Sequence, residues 1–229
     1  MTTTLLTTPL QPTLLDTREA PAVDRDFTTA HRRELSDGAW VEVVPGWVTG
    51  ADRLFDAVLD ASEWASHEML MYDEVVVQPR LQTSWHVGEL PRGLDLLRGM
   101  GAALSARYRT ALPRVSANLY RDGRDSVAWH GDRVARDLPD AVVACVSLGH
   151  RRPFRLRPRG GGPSITLEPG RGDLVVMGGT CQRTWQHCVP KVRDAGPRIC
   201  VMFREAYSEA DLRQAEANRR ARRPDARTA

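Results

Sequence analysis

The chain has 229 residues, of which 41% are hydrophobic and 27% charged. That is the balance of a soluble globular protein, with enough chain for one domain and a sizeable core. No apolar run approaches the roughly 20 residues that span a bilayer, and the start, MTTTLLTTPLQP, lacks the basic head and long apolar centre of a signal peptide. A cytoplasmic monomer with no membrane partner is therefore the expectation.

The net charge of +3 and a pI near 8.9 are compatible with a nucleic-acid partner and do not require one. Cys145, Cys181, Cys188 and Cys200 form no CxxC pair, which predicts free thiols in a reducing compartment.

In chain order, residues 1–25 are rich in Thr, Pro and Leu without a period, which predicts a loose arm. One domain follows over 26–207. Trp40 to Val44 reads as a strand ending at Pro45-Gly46. Thr49-Gly-Ala-Asp52 has the form of a capping box and opens a helix through about Ala61, with Leu54, Phe55, Val58 and Leu59 on one face. Residues 69–78 look extended around a turn at Tyr72-Asp73. Leu94, Leu97, Gly101, Leu104 and Tyr108 mark a second amphipathic helix suited to packing on a sheet.

From Ser116 the texture changes. Short strand-like runs follow at 116–121, 141–149, 152–158, 164–168, 173–177, 184–189 and 198–204, separated by Gly- and Pro-containing turns. Phe154 and Leu156 alternate with Arg155 and Arg157, so one face is wet. This spacing predicts an α+β, mainly β protein: a sandwich or jelly roll with N-terminal helices packed on the sheet. The basic segment EANRRARRPDAR lies in a charged C-terminal tail over 208–229, which reads as solvated and disordered or as an accessory phosphate contact.

The densest stretch is NLYRDGRDSVAWHGD, residues 118–132. Residues i and i+2 of a strand share a face, so His130 and Asp132 can aim at one point. With His187 from another strand-like run they make a two-His, one-carboxylate set with open positions, the pattern of non-haem Fe(II) oxygenases. Zinc is the competing metal, and a chance His-x-Asp pair is the bland alternative. On the last strand, Arg198, Cys200, Met202 and Arg204 share one face, while Ile199, Val201 and Phe203 take the other. Two inward arginines need anions. A dicarboxylate suits them better than local acids, since the neighbouring strands are acid-poor.

These residues, His130-x-Asp132, His187, Arg198 through Arg204 and Asn118-Leu-Tyr120, resemble the AlkB family of Fe(II)/2-oxoglutarate dioxygenases over about Trp40 to Arg204. The resemblance implies a double-stranded β-helix. It implies that His130, Asp132 and His187 bind Fe(II), that Arg198 and Tyr120 hold the distal carboxylate of 2-oxoglutarate, and that Arg204 and Asn118 hold its metal-proximal end. Cys200 and Met202 replace the family's usual Asn and Thr, which changes the hydrogen bonding of that pocket.

The activity implied is oxidation of an N-methyl lesion such as 1-methyladenine or 3-methylcytosine. It consumes O2 and 2-oxoglutarate and releases formaldehyde and succinate. Both lesions are cationic and pair poorly, so flipping them out costs less.

The partner implied is methylated DNA, or RNA. The same chemistry on RNA, a protein or a small metabolite is the alternative, as is a non-enzymatic binder of damaged nucleic acid. For the substrate, Trp85 is a candidate stacking wall, with core packing as its other reading. Tyr72 is a candidate finger into the duplex or a surface hairpin residue. Arg80, Arg121, Arg124, Arg133 and Arg136 are candidate phosphate contacts around the site mouth, where the loop RDGRDS is expected.

Overall fold

A computed structural model describes residues 19–71, 74–132 and 135–221. The strands, in order, are β1 (Ala22–Val23), β2 (His31–Glu34), β3 (Ala39–Val44), β4 (Val48–Thr49), β5 (Ala65–Met71), β6 (Glu74–His86), β7 (Arg114–Tyr120), β8 (Val127–His130), β9 (Val143–Gly149), β10 (Phe154–Pro158), β11 (Ile165–Leu167), β12 (Leu174–Gly179), β13 (Trp185–Val189) and β14 (Arg198–Arg204). The helices are α1 (Ala51–Ala61), α2 (Asp95–Tyr108), α3 (Cys181–Thr184) and α4 (Glu209–Ala221).

An eight-stranded sheet runs β2-β3-β12-β9-β14-β7-β6-β5. A four-stranded sheet runs β11-β10-β13-β8, and β1 pairs with β4. Adjacent strands are antiparallel. The architecture is the expected jelly roll.

Alternation along the strands sorts side chains into two cores. Ile199, Val201 and Phe203 of β14 join Val146 and Leu148 of β9. Above them pack Leu54, Phe55 and Val58 of α1 and Leu97, Met100 and Leu104 of α2. Each such side chain contributes about 1.5–3 kcal/mol on burial, so the helical layer seals the outer face of the large sheet. The alternate residues, Cys200, Met202, Cys145, Val175 and Met177, meet Phe154, Leu156 and Trp185 of the small sheet between the two sheets. The candidate metal- and cofactor-binding side chains face this inter-sheet space. All four cysteines are buried and free, as expected.

Several local expectations change. Helix α1 has no capping box: its N-cap is Gly50, at φ 59°, with no side-chain cap. A Cβ there would lie 2.5 Å from the Glu19 carbonyl oxygen, so the chain needs glycine to turn tightly past its own N-terminal segment. That segment is not wholly loose, because Ala22 and Val23 pair with Thr49 and Val48. The charged stretch after 208 is helical through Ala221. It buries Ala215, and its Asn218 amide donates to the Asp137 carbonyl at 2.6 Å. A helix rich in charge still docks when one small apolar residue and one amide meet a surface that accepts them.

Candidate active site

Local backbone geometry brings the three metal-type residues together. Register pairs His187 of β13 with His130 of β8, and Val189 with Val127. Ala128 and Trp129 therefore stand against the single Cys188, which is a β-bulge, and such bulges re-aim side chains. Both imidazoles face the inter-sheet space with ring centroids 4.2 Å apart. Asp132 lies just past the strand end. Its backbone N–H donates to Gln182 Oε1 at 2.9 Å, and the Gln182 backbone carbonyl packs where a Cβ on Gly131 would sit, 2.2 Å away. Only glycine lets the chain pass α3 and deliver the Asp.

The result is compact. Asp132 Oδ1 is 3.7 Å from His130 Nε2 and 3.8 Å from His187 Nε2. One ligand atom from each of the three residues lies within 4.8 Å of the others, the spacing of donors around one ion.

The protonation states suit a metal. His130 Nδ1 lies 2.8 Å from the Ala128 carbonyl oxygen, so that nitrogen donates and Nε2 keeps its lone pair. Burial pushes both imidazoles toward the neutral form, His187 down to about 3, with the neighbouring His130 adding to the effect. Burial alone would raise the Asp132 carboxyl. Arg204, His187 and His130 overcome it and hold the group well below the usual carboxylate range. Two neutral imidazoles and one carboxylate are a donor set that fits Fe(II).

The arginines divide. Arg204 donates from Nε to Asp132 Oδ2 at 2.6 Å and from Nη1 to Ser116 Oγ at 2.6 Å. The expectation that both arginines avoid local acids therefore fails for Arg204, whose acid is the metal-type Asp132 itself. It fails because Asp132 lies beyond a strand end, where strand-by-strand counting of acids does not reach.

Arg198 behaves as expected. It is 2% exposed, it donates from Nε to Ser147 Oγ at 2.9 Å, and its buried Nη1 has no partner. Among the described residues no carboxylate pairs with it. Its guanidinium lies 5.3 Å from the centre of the Tyr120 ring, and burial pushes the Tyr120 phenol up to about 12. An unanswered buried cation beside a neutral phenol fits the distal carboxylate of 2-oxoglutarate.

Asn118 accepts from Gln82 Nε2 at 2.7 Å and donates to Met202 Sδ at 3.6 Å. Arg204 Nη2 donates to the same sulfur at 3.2 Å. The thioether at 202 thus joins two of the expected cofactor residues through weak bonds.

The substrate-side expectations fare less evenly. Trp85 pairs with Val115 and packs against the helix-side core, on the face of the large sheet away from His130. Its role as a stacking wall is therefore corrected to core packing. The reason is parity: Gln82 meets Asn118 inside, so residues an odd number of steps from Gln82 point outward.

Arg80 turns inward. Its Nε is buried without a partner, and burial lowers its pKa while Tyr120, Asp132 and Arg204 all act on it. It belongs to the pocket and not to an outer phosphate track.

Arg124 is exposed and donates from Nη2 to Asp122 Oδ2 at 2.7 Å, as Arg121 does to Asp125. The loop RDGRDS neutralises its own charge. It also follows Tyr120, at the Arg198 end of β14, while Asp132 meets the Arg204 end. Arg136 pairs with Asp137. Tyr72 and Arg133 lie outside the described residues.

Sequence reasoning missed Ser147, Gln182, Arg152 and Tyr207. Tyr207 is half-buried with an unpartnered hydroxyl and feels the Asp132 charge. None of the four stands in a recognisable spacing, and their roles come from contacts across the chain.

Comparison with known proteins agrees with this geometry. A family model described as the 2OG-Fe(II) oxygenase superfamily matches residues 90–222. The chain is 29% identical over 189 residues to the mouse (Mus musculus) alpha-ketoglutarate-dependent dioxygenase alkB homolog 3, covering 72% of this chain and 65% of that protein. It is 34% identical over 149 residues to the DNA oxidative demethylase ALKBH2 of Arabidopsis thaliana, covering 53% of this chain and 46% of that one. The chain thus spans about two thirds or less of the length of these relatives. A solved prolyl hydroxylase from Trichoplax adhaerens, in complex with a peptide fragment of a hypoxia inducible factor, shares the fold. Its TM-score is 0.57 and its identity 13%, over 80% of this chain and 87% of that one.

Proposed function

Because the chain belongs to the 2OG-Fe(II) oxygenase superfamily, and its relatives within it are AlkB homologues, we propose that it is an Fe(II)/2-oxoglutarate-dependent oxidative demethylase acting on N-methyl lesions in DNA. The observation that carries the reading is the shared interior of three metal-type ligands and an anion-free arginine. His130, Asp132 and His187 lie within one ion's reach, and Arg198 sits buried beside Tyr120 with an unanswered N–H.

His130, Asp132 and His187 would hold the iron, and Arg198 with Tyr120 would hold the distal carboxylate of 2-oxoglutarate. When bound, iron and 2-oxoglutarate supply with O2 the oxidising chemistry that converts the cofactor to succinate and CO2 and hydroxylates a methyl carbon. A hydroxymethyl group on a ring nitrogen then loses formaldehyde and restores the base.

The protein's own residues orient and insulate. Arg204 keeps the Asp132 carboxylate ionised and points its second oxygen away from the metal side. The Ala128 carbonyl fixes the His130 tautomer. Phe154, stacked 5.4 Å from the His187 ring, excludes water from that ligand. A cationic base such as 1-methyladenine or 3-methylcytosine pairs poorly and leaves its duplex at lower cost than an intact base.

The test is incubation with Fe(II), 2-oxoglutarate and a panel of methylated DNA and RNA oligonucleotides, with loss of methyl followed by mass spectrometry. Loss of 14 mass units from 1-methyladenine or 3-methylcytosine DNA is the expected result. Turnover on RNA alone, or 2-oxoglutarate decarboxylation with no oligonucleotide change, overturns the DNA assignment.

A further inference from the structure

Arg152 is fully buried, at 0% exposure, yet among the described residues it pairs with no carboxylate. Its guanidinium donates instead to three backbone carbonyls: Nη1 to Asp122 at 2.9 Å, and Nη2 to Asp125 and Pro190 at 2.8 Å each. The side-chain carboxylates of that same loop are engaged by Arg121 and Arg124. Arg152 Nε is buried with no partner.

The cation also lies 5.7 Å from the centre of the Tyr120 ring, and Arg198 lies 5.3 Å from the same ring. One phenol therefore carries two buried guanidiniums, and among the described residues neither pairs with a carboxylate. Burial and the charge of Arg198 both act against the charged form of Arg152.

A staple for three carbonyls needs only N–H donors. A permanent charge in that place is costly unless an anion arrives. The carbonyls it holds belong to the 121–126 loop, which leads from Tyr120 to the His130 strand, and to Pro190, which follows the His187 strand. The residue thus sits where the cofactor-holding strand and both His-bearing strands converge.

We propose that Arg152 is a positioning residue of the dicarboxylate site: it fixes Tyr120 and the 121–126 loop and adds a second positive charge behind the carboxylate that Arg198 receives. The inference rests on the reading of Arg198 and Tyr120 as the distal-carboxylate site. The excess of two buried cations at that end matches a ligand whose far end is anionic, and it discriminates against 2-oxo acids that end in a methyl group.

The test compares 2-oxoglutarate with 2-oxopentanoate, which has the same chain length and no distal carboxylate. Affinities are measured on the full chain with Mn(II) by thermal shift and calorimetry, without turnover. R152Q is expected to weaken 2-oxoglutarate about tenfold while leaving 2-oxopentanoate within about twofold. A lowered melting temperature with the wild-type ratio of the two affinities would make Arg152 a staple only.

R152K supplies a second measurement, and carries the test if R152Q does not fold. A buried ammonium titrates where a guanidinium does not. In R152K, 2-oxoglutarate affinity should fall as pH rises from 6 to 10, with 2-oxopentanoate unaffected. A flat profile overturns the proposal. If the wild-type protein itself binds the two acids equally, it is the Arg198 site that has been misread.

Discussion

Gly131→Ala tests how the metal-type residues are delivered. A Cβ at 131 would lie 2.2 Å from the Gln182 backbone oxygen and 3.2 Å from its carbonyl carbon. Relief to an ordinary contact of about 3.4 Å requires a movement of roughly 1.2 Å. The obstacle is backbone of α3 and cannot rotate away, so the shift falls on 130–132. Donor atoms now 3.7 and 3.8 Å apart must surround an ion at about 2.0–2.2 Å, and a displacement above 1 Å breaks that arrangement.

Metal affinity should drop at least tenfold and as much as a hundredfold, as for lost supporting contacts at metal sites. Overpacking should cost about 1–3 kcal/mol of stability, lowering the melting temperature by roughly 2–12 °C for a domain of this size. Co(II) or Mn(II) titration by calorimetry gives the first quantity, and a thermal melt in EDTA gives the second. Wild-type values for both would refute the idea that Gly131 is required by the passage of the chain past α3.

Arg198→Met should abolish stabilisation by 2-oxoglutarate while Mn(II) affinity stays within about twofold, because it removes an anion partner and no ligand; retained stabilisation in a thermal melt would move the distal carboxylate elsewhere. Trp85→Ala should lower stability by about 2 kcal/mol, below the full-burial range because the ring is partly exposed, and should leave the salt dependence of oligonucleotide binding unchanged; a selective loss of demethylation without a lower melting temperature would restore Trp85 to the substrate site. The metal-free protein should lose stability in acid. His187 titrates near 3 when folded and near 6.5 when unfolded, so below about 6.5 the unfolded chain binds the extra proton and stability falls as pH drops toward 3. The lowered Asp132 pKa acts in the same direction below about 3.9. Urea melts in EDTA from pH 7 to 4 measure this, and a flat profile would mean the imidazole is solvated.

The sequence by itself determined the parts that depend on short-range periodicity. Residues 198–204 divide as period 2 requires, with arginines and sulfurs inward and Ile199, Val201 and Phe203 under the helices. Most strands of the β-core and the two preceding helices were legible for the same reason, because strand and helix periods are local. His130, Asp132 and His187 stood out because His-x-Asp with a distant His is a compact pattern, although Asp132 lies past the end of β8.

Only the tertiary structure decided what depends on register, ends and contacts between distant residues. Trp85 faces the helices because β6 pairs with β7 in one register, and a one-residue slip would have turned it inward. The acid that meets Arg204 lies past the end of β8, 72 positions away in sequence. Arg152 reads locally as one basic residue in HRRPF. It meets Tyr120 and the carbonyls of Asp122 and Asp125 because β9, β14 and β7 lie side by side. Periodicity is carried by neighbours along the chain. A buried charge takes its meaning from whichever groups the fold places around it, and those groups come from segments no local pattern connects.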